Sequence, residues 1–178
     1  MISIILFGSG ARDEYTPKVS DLNFMVILKD NSPSELAKYH KQNAKWRKRN
    51  VSTPLFLTES YIKSSLDTFP IEFLEMKRAY KVVKGKDILA NIQLSKRDLR
   101  LQCERELKGK LLHLRQSFLE NRASVKNLSA LIKSSITTFA PVFRAALDIA
   151  GLLPYLPECL GCRSGCGASR YGGVVIEG

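Results

Sequence analysis

Leu6-Phe7-Gly8-Ser9-Gly10-Ala11-Arg12, followed by Ser20-Asp21-Leu22-Asn23-Phe24-Met25-Val26-Ile27-Leu28, is the stretch that decides how this chain folds. Residues 2–7 form a short aliphatic and β-branched run that stops at glycines, the pattern of a buried strand. Residues 22–29 form a second such run, and the connection between the two is rich in turn formers. Gly8 lets a backbone approach a ligand closely, and Ser9 offers both a hydroxyl and an N–H at a turn. Exposed N–H groups in such a turn attract anions, so the segment is a candidate phosphate cradle. Asp21 and Asn23 are two apart, and on a strand they share a face. Both polar groups are therefore expected at one strand edge beside the Gly-Ser turn. The plainer alternatives stay open: a strand-ending turn for Gly8 and Ser9, a turn residue for Asp21, and an edge amide for Asn23.

Working outward, Ser32 with Pro33 and Glu35 signals a helix start, and the pattern predicts one helix to about Arg49. It carries Tyr39 and Trp46 among Lys38, Lys41, Lys45, Arg47, Lys48 and Arg49. Residues 51–57 read as a third strand, and Thr58 opens a short helix. Residues 70–76 show Ile71 and Phe73 alternating with Glu72 and Glu75, which predicts a fourth strand running loosely into residues 80–83 and ending at Gly85. Strands alternating with helices argue an α/β (α+β) mixed sheet. From Ser95 the period changes. Leu99, Cys103, Leu107, Leu111, Leu114 and Phe118 recur at helical spacing, and a second amphipathic stretch runs from Val125 to Leu147 past Pro141. This predicts a C-terminal antiparallel helix pair, whose apolar faces offer a surface for a homo-oligomer.

The chain has 178 residues, 44% of them hydrophobic, which excludes collagen-like and fully disordered classes. Its apolar runs are too short to span a bilayer, and no secretory signal precedes residue 2, so a cytoplasmic protein without a membrane partner is expected. The 28 Lys and Arg against 17 Asp and Glu give a net charge of +11, which suits polyanions: nucleotides or nucleic acid. A solvated basic surface is the plainer reading. Cys159, Cys162 and Cys166 lie in a glycine-rich tail without a fourth ligand at metal-site spacing. Cys103 reads as a small buried hydrophobe. His40 and His113 have no partner motif, and no nucleophile–His arrangement is visible.

The run Phe7-Gly8-Ser9, then ten residues, then Ser20-Asp21-Leu22-Asn23 opening an apolar strand resembles the nucleotidyltransferase signature of the DNA polymerase β superfamily. The resemblance covers about residues 1–90. It implies a nucleotidyltransferase-like domain there; the residue patterns add a helical region over 95–152 and a Gly/Cys-rich tail over 153–178, predicted to be poorly ordered. It implies a nucleoside triphosphate as substrate and Mg²⁺ as cofactor, with a nucleoside monophosphate passing to a hydroxyl acceptor. Gly8 and Ser9 map to the phosphate-binding pair and Arg12 to the Arg that often follows it, although a surface ion pair is the plainer role for Arg12. Asp21 maps to the first metal carboxylate and Asn23 to the second. The third carboxylate is expected on the 70–76 strand, at Glu72 with Glu75 as the alternative, the two facing opposite sides of that strand.

Two departures from the signature bear on chemistry. Asn23 offers a carbonyl oxygen but no charge where the signature has a second Asp, which predicts weakened catalysis. Asp13 stands where Gly is common. A catalytically inactive module of the same fold, binding nucleotide or another partner, is therefore the alternative function.

Overall fold

Strand β1 (Ser3–Phe7) owes its place at the heart of the sheet to Ile5, which is fully buried, and to pairing on both edges. A computed structural model describes residues 1–12, 21–120 and 125–152. A Gly8–Gly10 3-10 turn follows β1, and β2 (Asn23–Leu28) returns antiparallel to it. Helices α1 (Pro33–Ala37) and α2 (His40–Arg47) lead to β3 (Leu55–Thr58), which pairs parallel to β2. Then come α3 (Glu59–Ser64), α4 (Pro70–Arg78) and β4 (Tyr80–Gly85), which pairs antiparallel to β1. The mixed sheet has the order β3-β2-β1-β4. The expected mixed sheet with helices and a C-terminal helix pair is what the chain forms.

Side-chain alternation assigns the two faces of the sheet. Ile5, Met25 and Ile27 pack with Ile62 of α3, Phe73 of α4, and Leu89 and Ile92 of the segment after β4. On the other face Tyr39 packs against Phe56 of β3, their tilted rings 4.8 Å apart between centroids. The β1–β4 pairing shifts register between Ile4 and Ile5, and the chain leaves β4 at Gly85 with φ +90°. Buried Ser3 secures this exit: its Oγ lies 3.1 Å from the Lys84 carbonyl and 2.7 Å from the Lys86 carbonyl, donating to one at a time.

Three expectations are corrected. Residues 70–76 form helix α4, not a strand. Pro70 occupies its first turn, where a missing N–H costs nothing. The helix is buried on two sides: Phe73 and Met76 face the sheet, while Ile71 and Leu74 face the C-terminal helices. Two-sided burial fills in the helical period and mimics strand alternation. The basic helix is two helices, interrupted at residues 38–39. The third strand starts only at Leu55, after Pro54, and Val51 makes an isolated bridge to Leu22.

Helices α5 (Lys96–Glu120) and α6 (Val125–Ile149) pack together. Cys103 Sγ meets the Val142 carbonyl at 3.8 Å, whereas His113, Ser117 and Leu131 wall one hollow nearer the other end, so the pair is antiparallel. Leu99, Cys103, Val142 and Ala145 make a second core with Ile71 of α4. Burial there raises the pKa of the Cys103 thiol, which agrees with its reading as a buried hydrophobe. Among the described residues from Glu104 to Pro141 none is fully buried. No helix among the described residues is long and apolar enough to cross a membrane. Asp13 and the tail with Cys159, Cys162 and Cys166 lie outside the described residues.

The first turn of α4 has no capping side chain of its own. Gln102 of α5 supplies the cap from outside: its Oε1 accepts the Ile71 N–H at 2.8 Å, and its Nε2 donates to Glu72 at 2.8 Å. The Gln102 side chain is buried. Gln102→Leu keeps the volume and orphans the Ile71 donor. A loss of about 2 kcal/mol in stability is expected, read from urea unfolding.

Candidate nucleotide-binding site

The antiparallel register pairs Phe7 with Asn23, so the end of β1 and the start of β2 meet at one sheet edge. Beyond Phe7 the chain turns. Gly8 has φ +77° and donates its N–H to the Ala79 carbonyl at 3.0 Å. A Cβ on Gly8 would lie 3.7 Å from Asn23 Nδ2, which places the Asn23 amide directly beside the glycine. The turn closes through Ala11 N–H to Gly8 O at 3.0 Å and Arg12 N–H to Ser9 O at 3.2 Å. It folds back over β2: a Cβ on Gly10 would come within 2.8 Å of Leu22 Cδ2. Leu22 is held in turn by its N–H to Asn50 O at 2.9 Å and by Ser52 N–H to its own carbonyl at 3.0 Å. Asp21, just before it, is exposed.

A cavity of about 390 Å³ opens where this turn faces the helices. Gly8 and Arg12 wall it on one side, Glu72 and Glu75 of α4 on another, and Lys110 of α5 and Thr138 of α6 on the third. Ser9, Asp21 and Asn23 are not on its lining. The structure therefore groups Gly8 with Asn23 at the sheet edge, and Gly8 and Arg12 with Glu72 around the cavity.

The expectation for Glu72 is corrected in one respect. It stands on a helix, not on a strand, and so Glu72 and Glu75 share a face and line the same cavity. Their partners differ. Glu72 accepts from Gln102, while Glu75 takes a two-pronged ion pair from Arg144 of α6, with Nη2 at 2.6 Å and Nε at 3.1 Å, and a further one from Arg78 at 2.6 Å. Gln102, Arg144, Lys110 and Thr138 are cavity or anchoring residues that the sequence pattern did not single out. Gln102 left one trace, as a polar residue buried between Leu99 and Cys103.

The donor set bears on Mg²⁺. Asp21 and Asn23 offer hard oxygens, the ligand type that Mg²⁺ takes along with substrate phosphates. Among the described residues no group of three or more His, Cys, Asp or Glu is placed to hold a metal.

The family model described as Nucleotidyltransferase domain matches residues 2–81, from β1 into β4. Residues 2–81 are similar to nucleotidyltransferase domains. The match agrees with the polymerase β superfamily. It takes in the Gly8–Gly10 turn, Asp21, Asn23 and Glu72, while the α5–α6 pair lies beyond it. No curated protein and no solved structure matches the chain. A nucleotide is the substrate that a nucleotidyltransferase domain implies.

Proposed function

We propose that the nucleotidyltransferase domain binds a nucleoside triphosphate at the Gly8–Arg12 turn and passes its nucleoside monophosphate to a hydroxyl acceptor, slowly, because Asn23 occupies the second carboxylate position. The observation that supports this reading is the ladder that sets Asn23 against Gly8. A glycine at φ +77° leaves room for phosphate oxygens, and Ser9 contributes its hydroxyl and N–H. Arg12 bears on the phosphates from the cavity side. Asp21 and Asn23 would hold Mg²⁺ with the triphosphate. The ion supplies charge neutralisation at the α-phosphoryl group when bound.

Glu72 is the third acidic group of this reading. Gln102 fixes its orientation, and it receives the proton of an acceptor hydroxyl lodged in the cavity. The acceptor oxygen bonds to the α-phosphorus, the α–β bridging bond breaks, and pyrophosphate leaves. The acceptor can be a small molecule, a protein or an RNA end.

The test is incubation of the full chain with each of the four ribonucleoside triphosphates, Mg²⁺ and acceptors of those three kinds, with pyrophosphate as the readout. Asp21→Ala is expected to lower pyrophosphate release by about a hundredfold or more. An Asp21→Ala chain as active as the wild type would overturn the assignment.

Asn23, an uncharged amide at the second carboxylate position, supports a second reading, a domain that binds nucleotide without transferring it. Calorimetric binding of a triphosphate with no pyrophosphate from either the wild type or Asn23→Asp would select it.

A further inference from the structure

The sheet has a second face, opposite the one that Ile5, Met25 and Ile27 turn toward α3 and α4. Ile4, Phe24 and Val26 line it, and together with Phe56, Tyr39 and Trp46 they wall a slot of about 390 Å³. That volume suits a small flat ligand. Tyr39, the residue just before α2, and Trp46, near the end of α2, both wall the slot. Arg49 stands on the wall of the same slot. Around it Lys41, Lys45, Arg47, Lys48 and Arg49 are all exposed, and none of them forms an ion pair among the described residues.

Aromatic walls select a ligand with flat rings, and the unneutralised cations select an anion. A single strand of nucleic acid combines the two, since every base has a π-face and every linkage a negative charge. We infer that this slot binds single-stranded nucleic acid, with one base between Tyr39 and Trp46 and the neighbouring phosphates along α2. The slot is separate from the Gly8–Arg12 turn, and the inference does not depend on nucleotidyl transfer.

Trp46 is the single tryptophan of the chain, so its fluorescence reports on the slot directly. The full chain is titrated with a short oligouridylate, a short oligothymidylate, and an abasic phosphodiester of equal length. The expected result is quenching of Trp46 by an oligonucleotide, with affinity falling as salt rises from about 50 to 200 mM. The uridylate and thymidylate arms tell RNA from DNA, and binding of either supports the site. The abasic strand is expected to bind about tenfold more weakly or worse. Lys45→Glu with Arg49→Glu is expected to weaken binding about tenfold or more and to flatten the salt dependence. Both side chains are exposed, and Lys41→Glu with Lys48→Glu repeats the test if the first pair does not fold. The inference is overturned if no oligonucleotide quenches Trp46, if the abasic strand binds as tightly, or if salt has no effect. It is also overturned if phosphatidylserine vesicles shift Trp46 emission to the blue while oligonucleotides do not, which would make the slot a lipid-surface site.

Discussion

Asn23→Asp is expected to raise pyrophosphate release by about ten- to a hundredfold over the wild-type chain at saturating Mg²⁺. The substitution adds a unit charge with almost no change of shape, beside Gly8 and two residues after the exposed Asp21. Two unit charges of opposite sign 4 Å apart attract by about 1 kcal/mol in water and about 4 kcal/mol near a protein surface. An added carboxylate strengthens the hold on Mg²⁺ and on the charge that builds up as pyrophosphate departs, and each 1.4 kcal/mol is about tenfold in rate. Steady-state pyrophosphate release against Mg²⁺ concentration measures it. The Mg²⁺ needed for half-maximal rate should fall together with the rise in kcat. An unchanged rate and an unchanged Mg²⁺ response in Asn23→Asp would show that the second ligand position lies elsewhere.

The largest stability effect is expected at Gly85. Its φ of +90° is a conformation that side-chain-bearing residues rarely adopt. A Cβ there would overlap the Ile2 carbonyl and sit 2.8 Å from Ser3 Cα, all backbone at the start of the central strand. Backbone of a doubly paired strand cannot give way cheaply, so Gly85→Ala is expected to cost about 3 kcal/mol or more, roughly 6–12 °C in Tm. Gly109 is the control: it lies inside α5, and a Cβ there meets nothing within 4 Å. Gly109→Ala is expected to stabilise by about 0.5–1 kcal/mol through helix propensity. Thermal melts of the two alanine variants should therefore move in opposite directions.

What could be read from the residues was local. The runs before Gly8 and after Asp21 are short, apolar and bounded by turn formers, and they became β1 and β2 paired through Phe7 and Asn23. Ser95 and the apolar spacing after it announced α5, and Thr58 accepts the Tyr61 N–H at 3.1 Å as the cap of α3. Helix α4 was misread because Ile71 and Phe73 are both buried, in different cores, so its apolar positions no longer mark a single stripe. The break at residues 38–39 left no sign, since Lys38 and Tyr39 are neither Gly nor Pro. The roles of Gln102 and Arg144 were illegible because their partners lie 31 and 69 residues away in the chain, a distance that no pattern window reaches.

Glu72 and Glu75 sit one turn apart on α4, yet one is gripped from α5 through Gln102 and the other from α6 through Arg144. The two long helices thus steer α4 by separate handles. A molecule wedged into the cavity that spreads α5 from α6 would twist α4 about its axis and rotate Glu72 relative to Gly8. The amide of Ile71, bonded to Gln102, is the place to watch: its hydrogen-exchange rate should change whenever the hairpin opens, whether or not any chemistry follows.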